Sequence, residues 1–248
     1  MIEKKRLVGL VVGLQEGGEV RFLSYGETAA ASGVKPNPDH LFEIGGMVKS
    51  MTATLFTTML VEGKLEQNDP LRRFLPDHVK VPDTPGRRIC LFDLASHTAG
   101  FKRVPWNLNR VNRGNPYADY TEEKLYTYLA RPADLYEPGA RYIYSNTGFG
   151  LLGLAMSRSM NKDFESMVVE NICLPLDLRD TRIRLSENQK KRLLPGHEAK
   201  VSMLVHRKRF KQVPCWDNPV LTGACSFFST PRDMMKWVEA HRLAETEY

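Results

Sequence analysis

Residues 41–63 read LFEIGGMVKSMTATLFTTMLVEG, and the fold turns on how they are taken. From Met47 to Val61 apolar side chains recur at Met47, Val48, Met51, Ala53, Leu55, Phe56, Met59, Leu60 and Val61, and Gly63 supplies a stop. That spread predicts a helix buried on nearly every side, and such a helix belongs in the middle of a domain. Lys49 falls in its first turn, where a buried ammonium costs several kcal/mol unless polar partners surround it or it gives up its proton. An ionisable group in so apolar a frame points to function.

Two stretches bear on that lysine. Gly46-Met47-Val48-Lys49 opens the helix, and residues 137–150 read EPGARYIYSNTGFG. The first resembles the Ser-x-x-Lys of the serine β-lactamase and penicillin-binding-protein superfamily, with glycine where the serine stands. The second resembles the PG-x-x-F-x-YSN-x-G-Y signature of class C β-lactamases and the related esterases and D,D-peptidases. The resemblance runs in the family's order over roughly residues 5–240. It implies an α+β protein of β-lactamase/transpeptidase-like fold: one domain over 1–248, an antiparallel sheet with flanking helices, and a helical subdomain over about 70–180.

The same resemblance implies acyl transfer on an ester, amide or β-lactam through a serine acyl-enzyme, with no metal or cofactor. On it, Tyr144 corresponds to the group that moves the nucleophile's proton. Asn146 corresponds to the amide that orients substrate and touches the lysine, and Gly46 occupies the nucleophile position. A phenol near its ordinary pKa of about 10 is a poor base at neutral pH, so Lys49 is expected to favour the phenolate. Glycine at 46 brings no oxygen to attack with, so the hydrolase is expected to be inactive; the alternative is a member that only binds a ligand or a protein partner.

Three serines could be mistaken for the nucleophile. Ser32-Gly33-Val34-Lys35 and Ser159-Met160-Asn161-Lys162 both fit Ser-x-x-Lys, but the first lies in a Gly/Pro loop and the second at the end of a predicted helix, where the dipole disfavours an anion. Ser50 shares a helical face with Gly46 but lies about 6 Å deeper along the axis. His97, in the stretch ICLFDLASHTAGF at 89–101, is placed by the resemblance as the support of a turn rather than as a base.

Outward from the central helix, residues 5–14 and 20–27 read as a hairpin with Gly17-Gly18 at the bend, Val20, Phe22 and Ser24 sharing one face and Arg21, Leu23 and Tyr25 the other. Residues 102–120, with Trp106, Tyr117 and Tyr120, have no period and read as a surface loop, a common binding wall. Thr121 caps a helix over TEEKLYTYLAR, residues 147–160 and 163–173 form two more, and Ser186 with Gln189 makes a capping box. Asp177 stands where the family's link carries glycine.

Length and composition fit this picture. At 248 residues with 42% apolar and 26% charged side chains, the chain can fill a core, and no apolar run approaches the ~20 residues of a membrane span. The start, MIEKKRLVGLVVGL, has no small-residue cleavage site and reads as a strand, which places the chain in the cytoplasm unless an export signal lies upstream. Cys90, Cys173, Cys215 and Cys225 are scattered and predict reduced thiols. A net charge of +6 concentrates in His206–Lys211, read as a solvated hairpin tip rather than a nucleic-acid site. Implied partners are a small-molecule acyl substrate or peptide-like ligand.

Neither Lys-Thr-Gly nor His-x-Gly, the family's third motif, occurs in the 248 residues. In the family that strand supplies the second oxyanion donor, and loss of one donor costs about 10²- to 10³-fold. A hairpin without further strands is marginal in water, so the chain is expected to be a fragment, to need a partner chain that completes the sheet, or to aggregate through an open edge.

Overall fold

The computed structural model describes residues 7–82, 87–108, 114–131, 136–201 and 208–246. The chain divides into two compact units, residues 1–43, 173–215 and 228–248 in one, and residues 44–172 and 216–227 in the other.

The first unit holds the strands. Strand β1 (Gly9–Glu16) pairs antiparallel with β2 (Glu19–Gly26), from Gly9 opposite Gly26 to Glu16 opposite Glu19. Gly17 and Gly18 turn between them at φ 56° and 85°, a pair of left-handed residues that only glycine adopts at low cost and that matches the twist of the strands. Short strands β3 (Phe42–Glu43) and β6 (Phe228–Ser229) pair antiparallel, as do β4 (Gly196–Val201) and β5 (Lys208–Val213). Of the basic tract read as a hairpin tip, Lys208–Lys211 belong to β5, while His206 and Arg207 lie outside the described residues.

Helix α8 (Pro231–Thr246) packs on one face of the β1–β2 hairpin. Met235 lies so close to Gly13 that a Cβ there would sit 2.5 Å from its sulfur, and the Arg232 guanidinium lies 5.6 Å from the Phe22 ring centroid. Val20, Phe22 and Ser24 therefore share the packed face, as the alternation predicts. At the start of α8 the buried Asp233 carboxylate accepts from the Asp180 N–H (2.8 Å) and the Thr181 hydroxyl (2.9 Å). Burial pushes its pKa up. Helix α6 (Glu187–Arg192) starts with the expected Ser186/Gln189 capping box.

The second unit is helical. A 3₁₀ turn at Gly45–Met47 leads into α1 (Val48–Val61). Gly45 requires its glycine, at φ 51°. The unit also holds α2 (Leu91–Ala95), α3 (Glu122–Leu129), α4 (Asn146–Met160), α5 (Phe164–Val168), continued by a π-helical turn at Val169–Cys173, and α7 (Thr222–Cys225), and of these α4, α5 and α7 pack on α1. Thr121 caps α3 by accepting from the Lys124 N–H.

Two expectations for the central helix need correction. It begins one residue later than the apolar run does, because Gly45 and Gly46 start the turn as 3₁₀. It is also buried on one face only, through Val48, Lys49, Met51, Thr52, Leu55, Phe56 and Met59, whereas Met47 is 48% and Val61 84% exposed. Those buried positions recur at the three- and four-residue spacing of a single helical stripe; the apolar run looked wider because Met47, Leu60 and Val61 lie off it.

Candidate active site

The pieces of the site come together at the N-terminal end of α1, inside the helical unit. Lys49 is 7% exposed, and its ammonium donates to the Ala224 carbonyl at 2.9 Å. It also lies 4.8 Å from the Tyr144 ring centroid and 5.8 Å from that of Phe149. Among the described residues no carboxylate forms an ion pair with it, so one carbonyl and two π faces replace much of its hydration. Ala224 is held in place one turn deeper, where the buried Thr52 hydroxyl donates to Gly223 O at 2.7 Å. Glycines let α4 and α7 approach: a Cβ on Gly153 would lie 3.1 Å from the Gly223 Cα.

Tyr144 is fixed through its neighbours. The Ile143 N–H donates to His97 O at 2.8 Å and the Ser145 N–H to His97 Nδ1 at 3.0 Å, so His97 grips the backbone on both sides of the tyrosine. The imidazole also lies 4.7 Å from the Tyr144 ring, tilted by 39°. With Nδ1 accepting, the neutral ring carries its proton on Nε2. Burial and the Lys49 charge hold the imidazole's pKa below its ordinary value. Ser145 caps α4, its hydroxyl accepting from the Gly148 N–H and donating to Lys102 O, and the Asn146 N–H donates to Arg103 O.

Gly46 faces this group directly. A Cβ on residue 46 would lie 2.9 Å from Tyr144 Oη and 3.7 Å from Lys49 Nζ. Asn146 opens α4 and its side chain bonds the Tyr117 phenol; the expected contact with Lys49 is not among the described hydrogen bonds. Burial raises the Tyr117 pKa. The Tyr117 ring packs 5.5 Å from Trp216, which is 44% exposed, but Tyr117 and Tyr120 are themselves 2% and 1% exposed, so these two aromatics of the stretch read as a surface loop belong to the core; residues 109–113 lie outside the described range.

The other serines are elsewhere. Ser50 donates to Met47 O on the exposed side of α1, Ser159 donates to Met156 O in the last turn of α4, and Ser32 bonds Thr28 within its own loop. Sequence reasoning missed Ala224, Thr52, Phe149 and Arg103, whose guanidinium lies 5.7 Å from the Tyr144 ring centroid. The dipeptide Thr222-Gly223 before Ala224 was the available signal of close approach.

Residues 1–247 match the β-lactamase family model, and the chain belongs to that family. The D-alanyl-D-alanine-carboxypeptidase/endopeptidase AmpH of Escherichia coli (strain K12) is 28% identical over 233 residues, 94% of this chain and 57% of that protein. A β-lactamase of Pseudomonas fluorescens is 27% identical over 205 residues, 80% of this chain and 52% of its own. The solved β-lactamase/D-alanine carboxypeptidase of Yersinia pestis, complexed with citrate, matches with a TM-score of 0.79 and 28% identity, covering 93% of this chain and 62% of that one. The chain thus spans little more than half the length of the curated relatives it matches. The fold is α+β and β-lactamase/transpeptidase-like.

Proposed function

We propose that this chain carries the acyl-transfer site of a serine hydrolase acting on ester, amide or β-lactam substrates, with the covalent route closed at residue 46. One observation carries the reading: residue 46 points at a phenol and an ammonium, 2.9 and 3.7 Å from where its side chain would begin. Serine needs a group to take its proton and a charge to stabilise the alkoxide, and Tyr144 and Lys49 are of the right kinds for those two roles. Asn146 would orient the substrate, and the Gly46 N–H would offer one oxyanion donor. The carboxypeptidase names of the relatives favour a peptide-like acyl donor.

The test is Gly46→Ser. The variant is expected to be labelled by a fluorophosphonate probe while the parent chain is not, and Lys49→Ala added to Gly46→Ser is expected to slow labelling by about 10²-fold. Labelling of the parent at any serine of this site, or none of Gly46→Ser, would defeat the reading.

A further inference from the structure

Glycine at 46 is not there for the backbone. Gly45 sits at φ 51°, but Gly46 is absent from the left-handed residues, so a side chain at 46 meets no conformational strain. What it meets is the tip of Tyr144. A carbon there, one bond from the Gly46 Cα, would crowd Oη at 2.9 Å; with only hydrogen in its place, that side of the phenol stays uncovered on a residue that is 38% exposed. The phenol can donate and accept at once, and Lys49, with one of its three N–H bonds taken by Ala224 O, brings positive charge 3.7 Å from the same point. Gly46 itself is exposed, so the place is open to solvent.

We propose that the space beside Gly46 takes a solvent nucleophile, a water or a small primary alcohol, and that the chain thereby transfers an acyl group in one step with no acyl-enzyme. The inference rests on the acyl-transfer reading above. The water oxygen bonds to the acyl carbon and its proton passes to Tyr144 Oη. The phenol's own proton passes to the leaving oxygen as the bond from acyl carbon to that oxygen breaks. The phenol is regenerated, and the products are a carboxylic acid and an alcohol; with methanol in place of water the acid is replaced by its methyl ester. No electrons are exchanged, and Lys49 keeps its charge throughout.

Hydrolysis of p-nitrophenyl acetate tests this with four forms of the full chain: parent, Gly46→Ala, Tyr144→Phe and Gly46→Ser. The parent should turn over without a burst, show no acetyl adduct by mass spectrometry, and yield methyl acetate when methanol is added. Gly46→Ala fills the space with carbon and Tyr144→Phe removes the relay while keeping the ring on His97; each should slow the parent by about 10²-fold. A Gly46→Ala or Tyr144→Phe chain as fast as the parent, or an acetylated parent that turns over, overturns the inference. If that happens while Gly46→Ser is labelled by a fluorophosphonate, the acyl-transfer reading stands and only the one-step route falls. If Gly46→Ser is not labelled, the reading itself falls and takes the route with it.

Discussion

His97 holds a left-handed backbone, φ 62°, which costs a non-glycine residue about 1–2 kcal/mol, and it spends that strain on aiming its carbonyl and Nδ1 at the two N–H groups flanking Tyr144. Two expectations follow. His97→Ala keeps the strain, loses the acceptor for the N–H of buried Ser145, and should destabilise by about 1–3 kcal/mol in urea unfolding. His97→Asn brings in a residue type that tolerates the left-handed region and offers Oδ1 in the same role, so it should recover most of that loss. The pH dependence has a definite sign. Because burial lowers the imidazole's pKa in the folded chain, the unfolded chain binds a proton first as pH falls. Stability contributed by His97 is thus whole above the unfolded value, about 6.5, and declines as pH drops below it toward the folded value. His97→Asn should flatten that part of the stability curve; an unchanged slope would show that His97 does not bear it.

At the scale of elements, the site depends on how closely α4 and α7 meet, since α7 carries the carbonyl that receives Lys49. A Cβ on Gly153 would press on Gly223 backbone at 3.1 Å, and neither partner has a flexible side chain with which to yield. Gly153→Ala is therefore expected to cost about 1–3 kcal/mol by overpacking. In the Gly46→Ser background it should also slow fluorophosphonate labelling, because Ala224 O moves off the ammonium; full labelling at reduced stability would separate the packing from the site. This contact also marks the limit of what the sequence discloses. Caps at Thr121 and Ser186 were legible because donor and acceptor lie three residues apart, whereas the left-handed backbone of Asp177, φ 52°, was not read from the family glycine it replaces. Lys49 and Tyr144 were legible as motif positions. Ala224 was not, since its bond to Lys49 spans 175 residues and engages a backbone atom that any residue type would supply. The one-sided burial of α1 was hidden for a related reason: Val61 is as apolar as Val48, and only the tertiary neighbours decide which of them is covered.

For the molecule as a whole, the face of the β1–β2 hairpin turned away from α8 is the open question of solubility. Leu10 stands opposite Tyr25, Val12 opposite Leu23, and Leu14 opposite Arg21, and of these Leu14, Leu23 and Tyr25 are 50%, 43% and 51% exposed. An apolar sheet face of this kind drives association with another copy, whereas a net charge of +6 on every chain opposes it. The two effects differ in their response to salt. Charge repulsion is screened over about 10 Å at 0.1 M ionic strength and over about 3 Å at 1 M, while burial of apolar surface is not weakened by screening. Association should therefore grow as salt is added, in contrast to an interface held by ion pairs, which would loosen. Leu23→Lys places a charge in the middle of the face without touching α8, and Leu23 is too exposed for its removal to open a cavity. Light scattering across a salt series should show the parent chain's mass rising and that of Leu23→Lys remaining at one chain, with thermal midpoints that agree closely. If the parent stays monomeric at high salt, the exposed leucines are merely surface residues; if Leu23→Lys lowers the midpoint markedly, that face is packed in the single chain and the exposure argument fails.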